Sequence, residues 1–461
     1  MQASRWTIEN LLKVLLRVFL FVLPWRTIWV YKEQFLNDVK WEYGTLGFFG
    51  SELLLWLCVL LFMVWYIKKL KVRSEKLEVK TSKDRVFLFF CLLSTFYFLL
   101  STLWALDKEV ALQHSLHIME AFLLFVTLFV GPLSFRQITT WFVAGSILPS
   151  ILGVWQFLAQ STFASTLLGL AYHPGFESGT SIVSGEIGRW LRAYGSFSHP
   201  NVFGGYLVIA ISMLLLLTTK LEVKSMKYKV FFLTVYSLQF TALFFTFSRS
   251  AWLAFTCLLV YLFISLLKNK LPITNYLSTS AGKQLLITIL LLTLLSIIFF
   301  PLIKTRFSHS SVNEIRSTTE RISGYSESLQ IFKQNPWLGV GAGNYTLATH
   351  QLDPDRPGWE YQPVHNVFAL FIVEFGIIGA ILILLLILSL ISYLLSQKKN
   401  KENEINTNIL SYLFIIPYLL LLLFDHYLFS SYIGLVLTVV YFAAVLSPFH
   451  PLSVPSKQKF G

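Results

Sequence analysis

Apolar runs of roughly 20 residues recur along almost the whole chain. Folded as a helix, such a run crosses a hydrocarbon core about 30 Å thick. The chain has 461 residues, of which 55% are hydrophobic and only 13% are charged. A soluble domain carries roughly 25% charged residues. The sequence therefore predicts an all-α, polytopic membrane protein, and the pattern is not that of a protein built around one soluble core.

We predict a bundle of about twelve transmembrane helices. Their approximate bounds are 8–30, 46–67, 86–104, 115–131, 138–158, 202–219, 229–247, 249–267, 284–303, 366–395, 408–424 and 430–446. The chain then divides into N-terminal spans (1–158), a core (159–396) and C-terminal spans with a tail (397–461). The first run contains Lys13 and Arg17 and lacks a small-x-small pattern, so we expect no cleavable signal peptide.

The net charge of +13 is distributed as a topology signal. Lys and Arg concentrate in segments 68–85, 219–229 and 397–408, in the segment after the eighth predicted span and in the tail. A twelve-span count places all of these on one side, which the positive-inside rule makes cytoplasmic, with both termini inside. We therefore expect the lipid bilayer, and no nucleic acid, as the partner of this charge. Segments 159–201 and 304–364 become external loops.

The second external loop contains an amphipathic pattern. Ser317-Thr318-Thr319-Glu320 predicts a capping box that starts a helix, and Asn335-Pro336 ends that helix. Apolar residues then form one stripe, at Ile322, Tyr325, Leu329 and Phe332. We expect this helix to lie over the outer face of the bundle.

Three arginines fall on the predicted external side. Arg192 precedes the sixth span, Arg249 lies in a tight turn, and Arg321 belongs to the amphipathic helix. The positive-inside rule disfavours arginine in a short outer turn, so Arg249 in particular needs a reason. Converging guanidinium groups can hold a diphosphate without a metal. The alternative is that each arginine contacts a lipid headgroup or a nearby acid.

His365 begins an apolar segment as His365-Asn366, followed after nine residues by Gly376-x-x-Gly379. A base at a membrane boundary can reach a lipid-borne substrate and water-soluble chemistry together. In a straight helix His365 and Gly376 share a face, whereas Glu374 lies half a turn away. The alternative for a lone histidine is a helix cap. The Gly339-x-Gly341-x-Gly343 sequence follows a helix stop, so we interpret it as a flexible turn and reject a dinucleotide-binding loop.

These residues resemble the O-antigen ligase and polymerase superfamily, bacterial membrane enzymes of surface polysaccharide assembly. The resemblance covers roughly 185–380, and its motifs are Arg192–Asn201, Phe247–Ser250, Arg321, Asn335–Gly341 and the His365 motif, which matches the ligase form. It implies transfer of a glycan from an undecaprenyl diphosphate carrier to a glycan or lipid-anchored acceptor, as in lipopolysaccharide assembly. It also implies no nucleotide sugar, no cofactor and no metal.

We hypothesise that His365 is the catalytic base and that direct displacement inverts the anomeric carbon. The expected substrate-binding residues are Arg192, Arg249, Arg321, Asn201 and Asn366. The expected location is the bacterial inner membrane, with the active site on its external face. Three alternatives stay open: a polymerase of the same superfamily, which differs in its acceptor, a protein-glycosylating or teichoic-type relative, and a secondary transporter. A transporter favours ionisable groups at the midplane, whereas most of the notable ones here lie at the outer boundary.

Overall fold

A computed structural model describes most of the chain, and it is mostly helical. The described residues are 7–72, 82–177, 179–185, 188–220, 225–268, 279–308, 312–399 and 415–446. Part of the basic linker 68–85, most of segment 397–408 and the basic tail therefore lie outside the described residues. The all-helical membrane fold expected from the apolar runs is confirmed in its helical character.

The helices and strands follow one another in a simple order. The helices are α1 Ile8–Val22, α2 Gly50–Val72, α3 Ser82–Leu100, α4 Lys108–Val130, α5 Phe135–Ala159, α6 Pro200–Lys220, α7 Met226–Phe245, α8 Arg249–Lys268, α9 Ser280–Ile298, α10 Phe300–Ser308, α11 Val312–Gln334, α12 Tyr345–Leu352, α13 Val367–Lys399, α14 Ile415–Phe424, α15 Tyr427–Ser430 and α16 Tyr432–Leu446. The strands are β1 Ile28–Lys32, β2 Phe35–Leu36, β3 Val39–Lys40, β4 Leu46–Phe49, β5 Ile182–Gly185 and β6 Gly188–Leu191, which form antiparallel pairs β1–β4, β2–β3 and β5–β6.

Within the described residues, seven helices are long and apolar enough to cross a membrane: α2, α4, α5, α6, α7, α9 and α13. Parts of α3 and α8, together with α14 and α16, are shorter apolar helices. The expected count of about twelve spans is therefore not confirmed. The first expected span, 8–30, is not one helix, because α1 ends at Val22 and the chain continues into β1. A helix of this length is only ~22 Å long.

The centre of the bundle is α6, of whose most apolar stretch 89% is buried. It packs against α5, α7 and α8, while α1 packs against α5. A second group of contacts joins α13 to α3 and α16 to α4. Since only 28% of the apolar stretch of α2 and of α9 is buried, these two helices lie on the outside of the bundle. The candidate site lies near residues 365–367. The first residues of α6 and α8 and the last residues of α14 come together there.

Helix α13 is interrupted at Gly376, which has φ 64° and ψ −168°. The backbone before the break pairs with the segment that follows α11: Val340 N donates to Val373 O at 3.1 Å, and Gly341 N donates to Glu374 O at 2.9 Å. The glycine-rich segment contains turns, as expected, but residues 339–342 are buried and the segment is hydrogen-bonded as a strip along α13. The expected shared face of His365 and Gly376 is wrong, because His365 precedes the helix and Gly376 is not helical.

Glu374 is fixed by the same strip. Its buried carboxylate accepts backbone N–H groups of Gly343 and Tyr345, at the first turn of α12. A carboxylate at a helix N-terminus neutralises N–H groups that have no partner within the helix. Glu374 thus serves the fold of this strip, in line with its expected separation from His365.

Helix α11 differs from its predicted start and orientation. It begins at Val312, so Ser317–Glu320 lies inside the helix, where the Thr318 hydroxyl donates to the Glu314 carbonyl at 3.1 Å. The expected capping box is therefore wrong, whereas the predicted end at Gln334 is confirmed. The expected apolar stripe largely points away from the protein, with Ile322 68% exposed and Leu329 54% exposed.

Replacing Gly376 by Ala should destabilise the protein. An added Cβ would lie 2.3 Å from the Trp337 carbonyl oxygen, and the left-handed backbone itself costs a side chain about 1–3 kcal/mol. We expect a lower melting temperature for the purified protein in detergent. The control is Gly175→Ala, where nothing lies within 4 Å of the added Cβ. Equal melting of Gly376→Ala and wild type would contradict the backbone break.

Candidate active site

His365 is held at the start of α13 by its neighbour. The Asn366 side-chain oxygen accepts the Ala369 backbone N–H at 3.0 Å, which caps the helix. Its Nδ2 donates to the Tyr325 hydroxyl and to the Leu423 carbonyl, both at 3.2 Å. One asparagine therefore joins α11, α13 and the end of α14. The expected role of Asn366 in binding substrate stays a prediction, and its contacts here position His365.

Beside His365 lie two residues from the end of α14, Asp425 and His426. One candidate ligand atom from each of the three side chains lies within 4.8 Å of the other two. The rings of His365 and His426 meet edge to face, with centroids 5.2 Å apart. His426 Nδ1 is 2.7 Å from the Ser430 hydroxyl, and the Ser250 hydroxyl donates to Asp425 Oδ2 at 3.5 Å. Two imidazoles and a carboxylate can relay a proton or ligate a metal ion.

The environment keeps His365 neutral near neutral pH. Burial lowers the pKa of His365 below its ordinary value of 6.5, Asp425 opposes this shift, and Arg321 adds to it. Burial raises the pKa of the Asp425 carboxyl, although His365 and Arg321 act to lower it. Burial and then the nearby His365 lower the pKa of His426 well below its usual range. A neutral imidazole next to a carboxylate is ready to accept a proton.

Arg192 is buried and is held by two hydrogen bonds. Its Nε donates to the Thr246 carbonyl at 2.7 Å, and one terminal nitrogen donates to Asn201 Oδ1, also at 2.7 Å. Burial lowers the pKa of Arg192 well below its ordinary value, and the charge of Arg306 adds to the effect. Asn201, expected to bind substrate, therefore orients Arg192 in this structure.

The turn between α7 and α8 presents carbonyl groups to two arginines. Phe247 adopts a left-handed conformation with φ 47°. Its carbonyl accepts from Arg306 Nε at 2.9 Å, and the neighbouring Thr246 carbonyl accepts from Arg192. Carbonyls at a helix C-terminus lack partners within the helix and carry partial negative charge. The strained turn thus stabilises positive charge inside the bundle.

Glu314 joins two of the arginines. Its buried carboxylate lies 3.0 Å from a terminal nitrogen of Arg249 and also bonds Arg306. Arg306 is itself buried, and sequence reasoning did not select it. The sequence could have indicated Arg306, because this basic residue follows an apolar run on the side of the membrane that we expected to be external.

Arg321 differs from the other arginines. It is half-buried on α11, and its Nε is buried without a hydrogen-bond partner among the described residues. Its charge acts on His365, Asp425 and His426, so it faces the histidine cluster. Arg321 is therefore placed to donate hydrogen bonds to an anion beside His365.

The cluster also contains a residue from the N-terminal part of the chain. Tyr43, between β3 and β4, meets the His426 ring edge to face at 6.0 Å. The sequence offered no motif in this region. In the structure Tyr43 lines one side of the site, and Asp425 and His426 lie next to His365.

One family model matches the chain, described as O-antigen ligase, over residues 232–384. Over these residues the chain is similar to the O-antigen ligase family. The matched segment contains Arg249, Arg321 and His365, whereas Arg192, Asn201 and Asp425 lie outside it. The match indicates a membrane glycan transferase of the O-antigen ligase family, in agreement with the resemblance seen in the motifs. No curated protein matches the chain.

Replacing Glu314 by Gln should destabilise the protein. The change leaves Arg249 and Arg306 without their shared carboxylate, and breaking a buried ion pair costs about 3–5 kcal/mol. The matched control is Glu320→Gln on the same helix, where the exposed pair with Arg316 is worth at most about 1 kcal/mol. Thermal unfolding in detergent measures both. A smaller loss for Glu314→Gln than for Glu320→Gln would contradict the proposed arrangement.

Proposed function

We propose that this protein transfers a glycan from a polyprenyl diphosphate carrier to an acceptor hydroxyl, with His365 as the general base. The observation that carries the proposal is the position of His365 beside the buried carboxylate of Asp425, facing Arg321, whose Nε has no hydrogen-bond partner among the described residues. A base beside a guanidinium group with an open N–H donor fits a reaction in which a hydroxyl loses a proton while a diphosphate leaves.

The diphosphate is assigned to the arginine cluster. Arg192 and Arg249 already contact Asn201 and Glu314, so they contribute mainly a positive field. Arg321 has an Nε–H group left for the ligand. Guanidinium groups bind phosphate oxygens in a planar, two-pronged geometry, and they stabilise negative charge that grows on a leaving diphosphate. The sequence assigned substrate binding to all three arginines. We now propose direct binding for Arg321 and an electrostatic contribution for Arg192 and Arg249.

The chemical step balances without an added reactant. A ring nitrogen of His365 takes the proton of the acceptor hydroxyl while its oxygen forms a bond to the anomeric carbon. The bond from that carbon to the diphosphate oxygen breaks, and the electron pair leaves with the diphosphate. The imidazolium that forms is stabilised by Asp425, which lies within 4.8 Å. Direct displacement inverts the anomeric centre.

The membrane arrangement supports a lipid-borne donor. Asp425 and His426 directly follow the apolar helix α14, and α13 carries an apolar stretch of 26 residues that begins two residues after His365. On the expected count of twelve spans, the distribution of Lys and Arg supports a multi-pass protein of the bacterial inner membrane, with cytoplasmic termini and the site on the external face. The His365 motif has the ligase form, which favours a glycan or lipid-anchored acceptor over a second carrier-linked glycan.

Replacing His365 by Ala should abolish glycan transfer, because no base remains for the hydroxyl. The measurement is transfer by the purified protein, reconstituted with a polyprenyl diphosphate glycan and candidate acceptors, with products analysed by mass. The control is His350→Ala on α12, whose ring packs against Tyr361. We expect the control to transfer glycan normally. Wild-type transfer by His365→Ala would remove this residue from the mechanism.

The pH profile of transfer should report the protonation of His365. The pKa of this group is lowered, so the neutral, active form predominates at neutral pH, and activity falls as the pH drops through that pKa, below 6.5. Asp425 raises this pKa, so Asp425→Asn should move the acid limb to lower pH and slow transfer. An acid limb that Asp425→Asn leaves in place would show that Asp425 does not act through His365.

A further inference from the structure

A second cluster of ionisable side chains is buried between α2 and α4. Glu52, His117 and Glu120 are 3%, 7% and 4% exposed, and one candidate ligand atom from each lies within 4.8 Å of the other two. None of these residues belongs to the His365 cluster. The proposed transfer reaction does not use them.

The contacts of this cluster leave part of it unsatisfied. Glu52 Oε1 accepts the Phe49 backbone N–H at 2.9 Å and lies 3.4 Å from His117 Nε2. Glu120 Oε1 accepts from the Trp56 indole at 2.7 Å. Glu120 Oε2 is buried and has no hydrogen-bond partner among the described residues. An unpaired carboxylate oxygen in an apolar core is costly.

The charges of this cluster indicate that a cation is needed. Among the described residues, neither Glu52 nor Glu120 has a lysine or arginine partner. Two carboxylates carry more negative charge than one imidazole can offset, and burying an ion without compensation costs several kcal/mol. A divalent cation makes the assembly neutral. One imidazole nitrogen and two carboxylate oxygens form a donor set that suits zinc or manganese.

We propose that Glu52, His117 and Glu120 bind a divalent transition-metal ion that clamps α2 to α4. Bonds of roughly 2.0–2.2 Å put ligand atoms about 3–4 Å apart, so small side-chain rotations close this cluster around an ion. The ion takes no part in the transfer step. Packing connects the ion to the His365 cluster. His117 lies against Tyr432, the first residue of α16, with ring centroids 5.1 Å apart. Two residues before Tyr432, Ser430 contacts His426.

The first test measures metal content. The full chain, purified in detergent through a tag without histidine, is stripped with a chelator, reloaded with Zn²⁺ and analysed by mass spectrometry. We expect about one ion per chain and a higher melting temperature with the ion than without it. In Glu120→Gln and His117→Gln the affinity should fall at least about tenfold. No bound ion in the wild type, or undiminished binding by both variants, overturns the proposal.

Two controls assign the ion to its cluster. Glu374→Gln changes another buried glutamate with an unpartnered oxygen and should keep the ion. His426→Gln changes the other group that could hold a metal and should also keep it. Loss of the ion in His426→Gln, with retention in Glu120→Gln, places the metal at the His365 cluster and overturns the proposal.

A measurement on the wild type is independent of how the variants fold. With Mn²⁺ bound, electron spin-echo spectroscopy counts coordinated histidine nitrogens. One nitrogen is expected from His117, whereas the His365 cluster would supply two. Two nitrogens, or none, contradict the proposal. Absence of an ion together with an infrared band of a protonated carboxyl that Glu120→Gln removes would assign a proton to this place instead.

Discussion

The site depends on the buried carboxylate of Glu314, which lies between Arg249 and Arg306. Several guanidinium groups cannot share an apolar interior unless negative charge offsets their mutual repulsion. Glu314 provides a full charge, and the carbonyls of Thr246 and Phe247 at the end of α7 provide partial charges. With these charges satisfied internally, Arg321 keeps hydrogen-bonding capacity for a ligand. Glu314 and the two carbonyl groups therefore stabilise the positive charges of the site, whereas Arg321 remains able to bind an anion.

A second constraint sets the position of His365. The backbone of α13 breaks at Gly376 and pairs with the strip at residues 336–341. At the other end, Asn366 caps the helix and bonds the Leu423 carbonyl. The helix is therefore fixed at its break and at its start, and the second of these ties brings Asp425 towards His365. Gly376 of the His365 motif has a different role from the histidine. It allows the left-handed backbone conformation at the break in α13, and it does not share a helix face with His365.

The sequence predicted features that depend on local pattern. Apolar runs predicted helices, and Asn335-Pro336 predicted the end of α11. Arg249 was selected because the positive-inside rule disfavours an arginine in a short outer turn. Long-range contacts were not accessible: Asp425 reaches His365 because chain segments 57 residues apart are joined by a hydrogen bond. The orientation of α11 was mispredicted because small residues turn its other face inwards. Gly324 lies against Val364, and Ser328 lies 3.0 Å from the Tyr345 hydroxyl, while the apolar stripe stays exposed.

The central claim is that a hydroxyl deprotonated by His365 displaces the diphosphate directly. The most direct test is the anomeric configuration of the product formed from a polyprenyl diphosphate glycan of known configuration, determined by nuclear magnetic resonance. A single displacement predicts that the new glycosidic bond has the opposite configuration to the bond in the donor. Retention of configuration would require a covalent intermediate or a second displacement, and it would contradict the assignment of His365 as a base acting in one step.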